Sequence, residues 1–290
     1  MSDNSTYTTP QWFWDAIDTK PESGSVEVDE SDINYLWWSE AGNPGLLLVH
    51  GHNAHAHWWD FIAPGYQDDY QTVALDLSGM GDSDHRDEYS ADLYADEIIA
   101  VADRCAMPEN TILVSHSFGG IMSIRAVAKN PGRFKGLILL DSGVKHPDDV
   151  RPQEPERLAR AKLYPSAEIA QSRFRLQPPQ QCENQYIVDH IARNSVEYID
   201  DGFGWKFDEE QRLRMQPYED LQADFESINC RCALIYGADS ESFSAKSADY
   251  MKELLPHLEV TELADAQHHL FLDQPLAFME SLSEQLNHWS

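Results

Sequence analysis

Short apolar runs alternate with longer segments of helical periodicity along most of the chain. The apolar runs lie at 46–49, 72–75, 111–114, 136–140, 233–236 and 259–263. Segments with the spacing of helices lie at 90–104, 118–129, 246–255 and 275–288. Uniformly apolar strands that alternate with helices are typical of a parallel sheet covered on both faces. A further strand at 33–38 is expected to lie antiparallel at the edge of this sheet.

The alternation stops between the fourth and fifth apolar runs. Residues 143–228 contain no pattern of a buried strand, but they contain helical stretches at 156–163 and 183–194. A structureless loop of that length is uncommon in a compact domain. We therefore predict a core domain made of residues 1–142 and 229–290. Residues 143–228 are predicted to form a helical cap that covers a pocket at the strand ends.

Composition and charge limit the possible partners. The chain has 290 residues, 42% of them hydrophobic, which suffices for one large α/β domain. No apolar run approaches the ~20 residues that a membrane helix needs. Residues 1–9 lack the basic and apolar regions of a signal peptide, so a cytoplasmic location is expected. The net charge of −29 argues against nucleic acid and anionic membranes as partners. This holds whether or not the acidic surface is an adaptation to salt.

Neither the cysteines nor a cluster of histidines predicts a metal site. The cysteines are too few and too scattered for a disulfide framework or a zinc site; they are Cys105, Cys182, Cys230 and Cys232. Four histidines recur in one predicted loop without further ligands in a known spacing; they are His50, His52, His55 and His57. We expect no bound metal ion.

The apolar run at 111–114 leads into a serine between small residues, and a helical pattern follows at once. Residues 112–120 read Ile-Leu-Val-Ser-His-Ser-Phe-Gly-Gly. A nucleophile in a sharp strand-to-helix turn needs small residues two positions before and after it. Ser117 meets this requirement with Ser115 and Gly119, whereas Ser115 would be flanked by Leu113 and Ser117. Ser117 is therefore the candidate nucleophile, although a buried strand with a glycine turn has the same pattern.

A serine hydroxyl needs a base that takes its proton, and the base needs a carboxylate partner. In this kind of sheet the expected chain order is serine, acid and histidine. The loop after the last predicted strand contains two adjacent histidines, His268 and His269. A loop at that position can reach across the strand ends toward Ser117.

Four motifs occur in an order that characterises one superfamily. A buried strand precedes His50-Gly51-His52-Asn53, and residues 76–83 read Asp-Leu-Ser-Gly-Met-Gly-Asp-Ser. The turn at Ser117 and the histidine loop before Pro275 follow. Over nearly its whole length outside the cap, the chain resembles the α/β-hydrolase superfamily, in the branch with carboxylesterases and carbon–carbon bond hydrolases. The resemblance implies an α/β-hydrolase fold, a mostly parallel central sheet with helices on both faces and an inserted helical cap.

The resemblance also implies roles for individual residues. The base of this family usually lies seven residues before a proline, which selects His268 over His269. The backbone N–H groups of His52 and Phe118 are expected to form the oxyanion hole. In this family the first histidine of the motif at 50–53 more often braces its loop. The residues expected at the substrate pocket are His50, Asn53, Trp58, His116 and Trp205.

The acid remains open among three carboxylates. The family usually places it shortly after the glycine that ends the fifth strand, here Gly237. Glu241 lies four residues beyond that glycine and is preferred, and Asp239 lies two residues beyond it. Asp141, after the fourth strand, is the third candidate because some relatives take the acid from there. In so acidic a chain, either of the first two carboxylates is also compatible with a solvated loop charge.

Together these residues predict a serine-dependent hydrolase that cleaves carboxylic esters of small to medium acyl length through an acyl-enzyme. The expected partner is a small-molecule ester, and no cofactor is required. A carbon–carbon hydrolase for ring-cleavage products stays open, with Arg173 and Arg175 to hold an acidic dienol. A non-catalytic ligand-binding protein on the same scaffold also stays open. The oligomeric state is undetermined by the sequence, and a homodimer is compatible with it.

Overall fold

Ten strands and ten α-helices occur in residues 7–39, 42–149 and 162–290, which the computed structural model of the protein describes. The strands are β1 (Glu22–Val28), β2 (Ser31–Trp37), β3 (Gly45–Val49), β4 (Gln71–Leu75), β5 (Ile112–His116), β6 (Gly136–Leu140), β7 (Val196–Ile199), β8 (Gly202–Trp205), β9 (Arg231–Gly237) and β10 (Glu259–Leu263). The helices are α1 (Gln11–Asp18), α2 (Ala91–Arg104), α3 (Phe118–Lys129), α4 (Ala167–Gln171), α5 (Gln185–Asn194), α6 (Gln211–Arg214), α7 (Leu221–Glu226), α8 (Ala245–Leu254), α9 (Leu270–Asp273) and α10 (Pro275–Trp289).

Eight of the strands in the described ranges form one sheet, in the order β1-β2-β4-β3-β5-β6-β9-β10. The six strands from β4 to β10 in this order are parallel to one another, and β1 and β2 are antiparallel to their neighbours. This confirms the predicted mostly parallel sheet. The carboxyl ends of β3, β5 and β6 lie side by side, since Val49 pairs with Ser115 and His116 pairs with Leu140. Open α/β sheets bind ligands at the carboxyl ends of their strands.

Both faces of the sheet are buried by helices. Side chains alternate along a strand, so Leu46 and Leu48 pack in one hydrophobic cluster with residues of α9 and α10. Leu47 and Val49 pack in the other cluster, with residues of α2, α3 and α8. Every residue of β3, β4, β5 and β6 is buried, which explains why each of these strands contains an apolar run of the sequence.

Local chemistry explains where the predicted helices begin. The Ser90 hydroxyl accepts a hydrogen bond from the Leu93 N–H at 3.1 Å, which caps α2. The Ser244 hydroxyl accepts one from the Ser247 N–H at 3.1 Å and caps α8. Pro275, whose fixed φ suits the first turn of a helix, is the first residue of α10. These three helices therefore begin within one residue of their predicted starts.

The expectation that residues 33–38 form the edge strand is wrong. These residues belong largely to β2, which is antiparallel as expected, but β1 lies beyond it and pairs along its whole length. No residue of β1 is fully buried, and exposed positions alternate with partly buried ones along most of the strand. Because β1 contributes so little to the core, its sequence carries no apolar run that would predict it.

The segment between β6 and β9 is partly helical and partly β-structure. The helix predicted at 183–194 is α5, whereas most of the one predicted at 156–163 lies outside the described residues. β7 and β8 form an antiparallel hairpin that the sequence did not predict. Gly202 and Gly204 interrupt β8, so no continuous apolar run marks it. The cap is thus not wholly helical, and its boundaries at 143 and 228 stay a prediction.

All four cysteines lie in the described residues, and none of them forms a disulfide. The free thiols are those of Cys105, Cys182, Cys230 and Cys232. Burial raises the pKa of Cys105 and of Cys230 to about 11, so these thiols stay protonated.

Over the part of the chain that the structure describes, no helix has both the length and the hydropathy to cross a bilayer.

Candidate active site

Ser117 occupies a strained turn between β5 and α3. Its φ of 51° and ψ of −120° lie in a region that L-residues rarely adopt. The small neighbours are needed, because a Cβ added to Gly119 would lie 2.2 Å from the backbone oxygen of His50. On the other side, the small side chain of Ser115 is buried, and its hydroxyl hydrogen-bonds the Ser123 hydroxyl at 2.7 Å. Ser117 thus has the geometry that the sequence predicts for the turn.

His268 links the serine to a buried carboxylate. Its Nε2 lies 2.9 Å from Ser117 Oγ, and its Nδ1 lies 2.6 Å from Asp141 Oδ2. A carboxylate can only accept, so Nδ1 carries the proton, and the lone pair of Nε2 is left to accept from the serine hydroxyl. His269 contacts neither group. Its backbone N–H donates to Gln180 Oε1, and its ring lies against Trp58 at a centroid distance of 5.4 Å.

The predicted preference for Glu241 and then Asp239 as the partner of His268 is corrected by this geometry. Both of these side chains are exposed, whereas Asp141 is buried at the end of β6. The end of β9 and the loop after it present donors to Asp141. The Gly237 N–H donates to Oδ1 at 3.1 Å, and the Ser240 hydroxyl donates to Oδ2 at 2.7 Å. Asp141 itself has a positive φ of 47°, which turns its side chain toward His268.

The two amides predicted for the oxyanion hole lie next to Ser117. Within residues 7–39, 42–149 and 162–290, neither the His52 N–H nor the Phe118 N–H donates to a protein acceptor. The loop after β3 passes close to the nucleophile, since a Cβ added to Gly51 would lie 3.2 Å from Ser117 Cβ. Both amides are therefore available to a ligand, and their catalytic role stays a prediction.

His50 braces this loop instead of lining the pocket. Its Nδ1–H donates to the Gly51 carbonyl at 2.7 Å, and its Nε2 accepts from the Leu77 N–H at 3.0 Å. The ring is buried and lines neither cavity of the site, so its expected place at the pocket is wrong. The bond to Leu77 connects the loop after β3 to the loop after β4.

A cavity lies at the nucleophile, and a second cavity adjoins it. The first has a volume of 480 Å³ and is lined by Ser117, His268, Trp58 and His116 among others. The second, of 210 Å³, is lined by Asn53, Trp58 and Trp205. Four of the five predicted pocket residues thus line a cavity. Residues of the segment between β6 and β9 contribute to both; they include Gln177, Pro178, Arg212 and Trp205.

Three residues support the site in ways that the sequence did not predict. Ser240 holds Asp141, as described above, and the Ser142 hydroxyl donates to the Ser117 carbonyl at 2.5 Å. The Nε2–H of His116 donates to the His268 carbonyl at 3.0 Å and so ties the histidine loop to β5. Serines in polar loops are too common to signal such roles. His116 was expected only at the pocket wall.

The histidines that recur at 50–57 do not converge on one point. The His55 Nε2 hydrogen-bonds the Ser195 hydroxyl at 2.8 Å, while the His57 Nδ1 lies 3.0 Å from Asp60 Oδ2. A different trio has the spacing of metal ligands among the described residues: one nitrogen from each ring lies within 4.8 Å of the others in His116, His268 and His269. Both nitrogens of His268 already hydrogen-bond Ser117 and Asp141. This arrangement favours proton transfer as the use of His268.

Burial keeps several histidines neutral. It lowers the pKa of His52 to about 4, and it also lowers the pKa of His50. It lowers the pKa well below the usual range in His55, His116 and His269. An unfolded chain binds protons at these histidines near pH 6.5, but the folded chain does not. The free energy of unfolding is therefore expected to decrease as the pH falls below about 6.5.

We expect replacement of His55 by glutamine to weaken this dependence on pH. His55 lies outside the catalytic groups, and burial lowers its pKa well below the usual range. Each such histidine contributes up to about 1.4 kcal/mol per pH unit to the slope of stability against pH. Urea unfolding at pH 7.5, 6.5 and 5.5 measures that slope. The exposed His85 provides the control variant His85→Gln. Equal slopes for wild type and His55→Gln would contradict the expectation.

Comparison with known proteins identifies the class of this fold and site. Residues 46–281 match the model of the Alpha/beta hydrolase family. Because the match covers most of the chain, the protein belongs to this family, as the motifs of the sequence predict.

Two relatives match part or most of the sequence. A cis-3-alkyl-4-alkyloxetan-2-one decarboxylase from Shewanella oneidensis is 30% identical over 41% of this chain and 38% of its own length. A pimeloyl-[acyl-carrier protein] methyl ester esterase from Chromobacterium violaceum is 25% identical over 84% of this chain and 94% of its own length. The chain thus spans well under half of the first relative and nearly all of the second.

Solved structures share the fold at low identity. The thioesterase domain from the curacin biosynthetic pathway superposes with a TM-score of 0.76 at 20% identity. The superposition covers 91% of this chain and 99% of that domain. At this identity the likeness concerns the fold alone.

Proposed function

We propose that the protein is a serine hydrolase that cleaves carboxylic esters of small to medium acyl length through an acyl-enzyme. One observation carries the proposal: Ser117 Oγ, the His268 ring and Asp141 form a continuous hydrogen-bonded chain, with distances of 2.9 Å and 2.6 Å. Nucleophile, base and orienting acid need this arrangement. The methyl ester esterase among the relatives supports ester cleavage as the reaction.

Acylation begins when Ser117 Oγ attacks the ester carbonyl carbon and His268 Nε2 takes the hydroxyl proton. The Asp141 carboxylate stabilises the imidazolium that forms, because it accepts from Nδ1 at 2.6 Å. The carbonyl oxygen becomes an oxyanion, and the free N–H groups of His52 and Phe118 are the proposed donors to it. His268 then gives its proton to the leaving alcohol, and the acyl group stays on Ser117.

Deacylation repeats these steps with water as the nucleophile. His268 Nε2 takes a proton from the water, whose oxygen attacks the acyl carbon. The tetrahedral intermediate then collapses, and the proton returns to Ser117 Oγ as the carboxylic acid leaves. Both half-reactions use the same three side chains, and neither requires a cofactor.

The cavity walls fit a compact substrate with an apolar part. The side chains of Trp58, Ile121 and Phe243 line the 480 Å³ cavity at the nucleophile. A cavity of this size lies within the usual range for small ligands. We therefore propose a small-molecule ester as the partner. Nucleic acid and anionic membranes are not proposed, given the net charge of −29, and a cytoplasmic location stays a prediction.

A second candidate function is the cleavage of a carbon–carbon bond in a ring-fission product. Arg173 and Arg175 line the second cavity, where they can contact an acidic dienol. The same Ser117 and His268 would act in that reaction. A purely ligand-binding role is disfavoured, because it has no use for the aligned hydrogen bonds of the triad.

Labelling and a rate survey test the proposal together. A fluorophosphonate probe is expected to modify Ser117 covalently, as peptide mapping by mass spectrometry would show. In a survey of 4-nitrophenyl esters from acetate to dodecanoate, kcat/KM should be highest for short and medium chains. A yellow ring-fission product, followed by its absorbance, should persist. Faster loss of the ring-fission product than of any ester, or no adduct at Ser117, would contradict the proposal.

A further inference from the structure

The two cavities carry cationic side chains although the chain as a whole is strongly acidic. The sequence has 21 lysines and arginines against 50 aspartates and glutamates. Even so, Lys145 and Arg212 line the cavity at Ser117, and Arg173 and Arg175 line the adjoining one. The cavities share His52, Trp58 and Gln177 in their walls, so one extended substrate can occupy both.

Carboxylates are nearly missing from the same walls. Among the described residues, Asp141 is the only acidic side chain that lines either cavity. It is buried, and its oxygens accept hydrogen bonds from His268, Ser240 and Gly237. Asp141 is therefore committed to His268 and does not neutralise the cations of the cavities.

Three of these cations have no ion pair within residues 7–39, 42–149 and 162–290. They are Lys145, Arg173 and Arg175. The Nη1 of Arg175 donates only to backbone carbonyls among the described residues, those of Ser172 and Phe174. Some cations that line neither cavity are used differently. Arg125 on α3, for example, pairs with Asp92 and Asp224 at 3.0 Å each.

Arg212 places positive charge beside the predicted oxyanion hole. Its Nε lies 3.3 Å from His52 Nε2, and its Nη2 lies 3.3 Å from His52 Nδ1. Burial is the largest cause that lowers the pKa of His52, and the positive charge of Arg212 is the second largest. Arg212 thus places a cationic side chain next to the loop that carries the His52 amide.

We infer that the substrate is an ester with an anionic group, a carboxylate in the simplest case, which these cations bind. The inference rests on the proposed ester hydrolysis at Ser117 and names its substrate class. A guanidinium matches a carboxylate with two parallel N–H donors, and a lysine adds a point charge. The acidic surface does not prevent binding, because charges more than about 8 Å from a solvent-exposed group are largely screened at physiological salt.

Two matched pairs of esters test the inference. The first pair is 4-nitrophenyl hydrogen suberate and 4-nitrophenyl octanoate, which differ by a terminal carboxylate on the acyl side. The second pair is 4-carboxyphenyl acetate and 4-carbamoylphenyl acetate, which differ by the same charge on the alcohol side. We expect kcat/KM to favour the anionic ester by about tenfold in at least one pair, since three or four partly solvated ion pairs can supply this preference.

The variant Lys145→Gln/Arg173→Gln/Arg175→Gln should remove most of that preference. Its KM for the anionic ester should rise about tenfold, and its kcat/KM for the neutral ester should change by much less. Lys252 is exposed on α8 and lines neither cavity, so Lys252→Gln is the control. The three substituted side chains are exposed, and circular dichroism would verify that the triple variant folds.

The outcomes separate the two proposals. If wild type shows no anionic preference in either pair, or if the triple variant keeps the preference, the inference is overturned while ester hydrolysis stands. If wild type hydrolyses none of the four esters, the proposed function itself fails and takes the inference with it.

Discussion

Replacement of Ser117 by alanine is expected to lower kcat for 4-nitrophenyl butyrate by about 10⁶-fold, the loss that removal of a triad nucleophile can cause. The variant retains His268 and Asp141, but no atom remains that can form the acyl-enzyme. Steady-state rates with purified protein, together with the loss of fluorophosphonate labelling, would measure the effect.

Ser115 offers a matched control for this experiment. It lies two residues away on β5, and its hydroxyl hydrogen-bonds only Ser123 among the described side chains. Ser115→Ala should keep kcat within tenfold of wild type and should still be labelled. A loss of less than tenfold in Ser117→Ala would show that Ser117 is not the nucleophile.

Replacement of Asp141 by asparagine is expected to lower kcat by about 10⁴-fold, as in triads whose acid is changed to the amide. The Asp141 carboxylate accepts the Nδ1–H of His268 at 2.6 Å. An amide NH₂ group at that position would donate instead and would favour the tautomer with the proton on Nε2. In that tautomer His268 cannot take the proton of Ser117. The thermal unfolding midpoint would show whether the variant is folded.

The two exposed carboxylates that the sequence favoured provide the controls. Glu241→Gln and Asp239→Asn should each keep kcat within about twofold of wild type, since surface substitutions away from a network have small effects. Severe impairment of either variant, with an active Asp141→Asn, would reverse the assignment of the acid.

The sequence predicted the centre of the site better than its supports. Ser117 and His268 are recognisable because sterics restrict the residues around a sharp turn, and because the family fixes the spacing between the base and Pro275. The acid has no such local constraint. Whether Asp141 or Glu241 meets the imidazole depends on how the loops after β6 and β9 fold against each other, which spacing along the chain does not encode.

The elements that the sequence missed share a physical cause. Buried parallel strands are largely apolar, so β3, β5 and β6 are evident in the sequence. The burial of β1 alternates between exposed and partly buried positions, and β8 has glycines at alternate positions. Strands that bury little apolar surface leave a weak pattern, because their stability comes from pairing with a neighbour rather than from the core.

Ser117 and Asp141 both have a positive φ, of 51° and 47°. Conformations of this kind cost on the order of 1–3 kcal/mol each, a noticeable part of the margin that keeps a domain folded. Laboratory evolution for heat resistance alone would consequently tend to install glycine at both positions and yield robust but inert proteins. Any programme to thermostabilise this protein should keep these two codons fixed from the start.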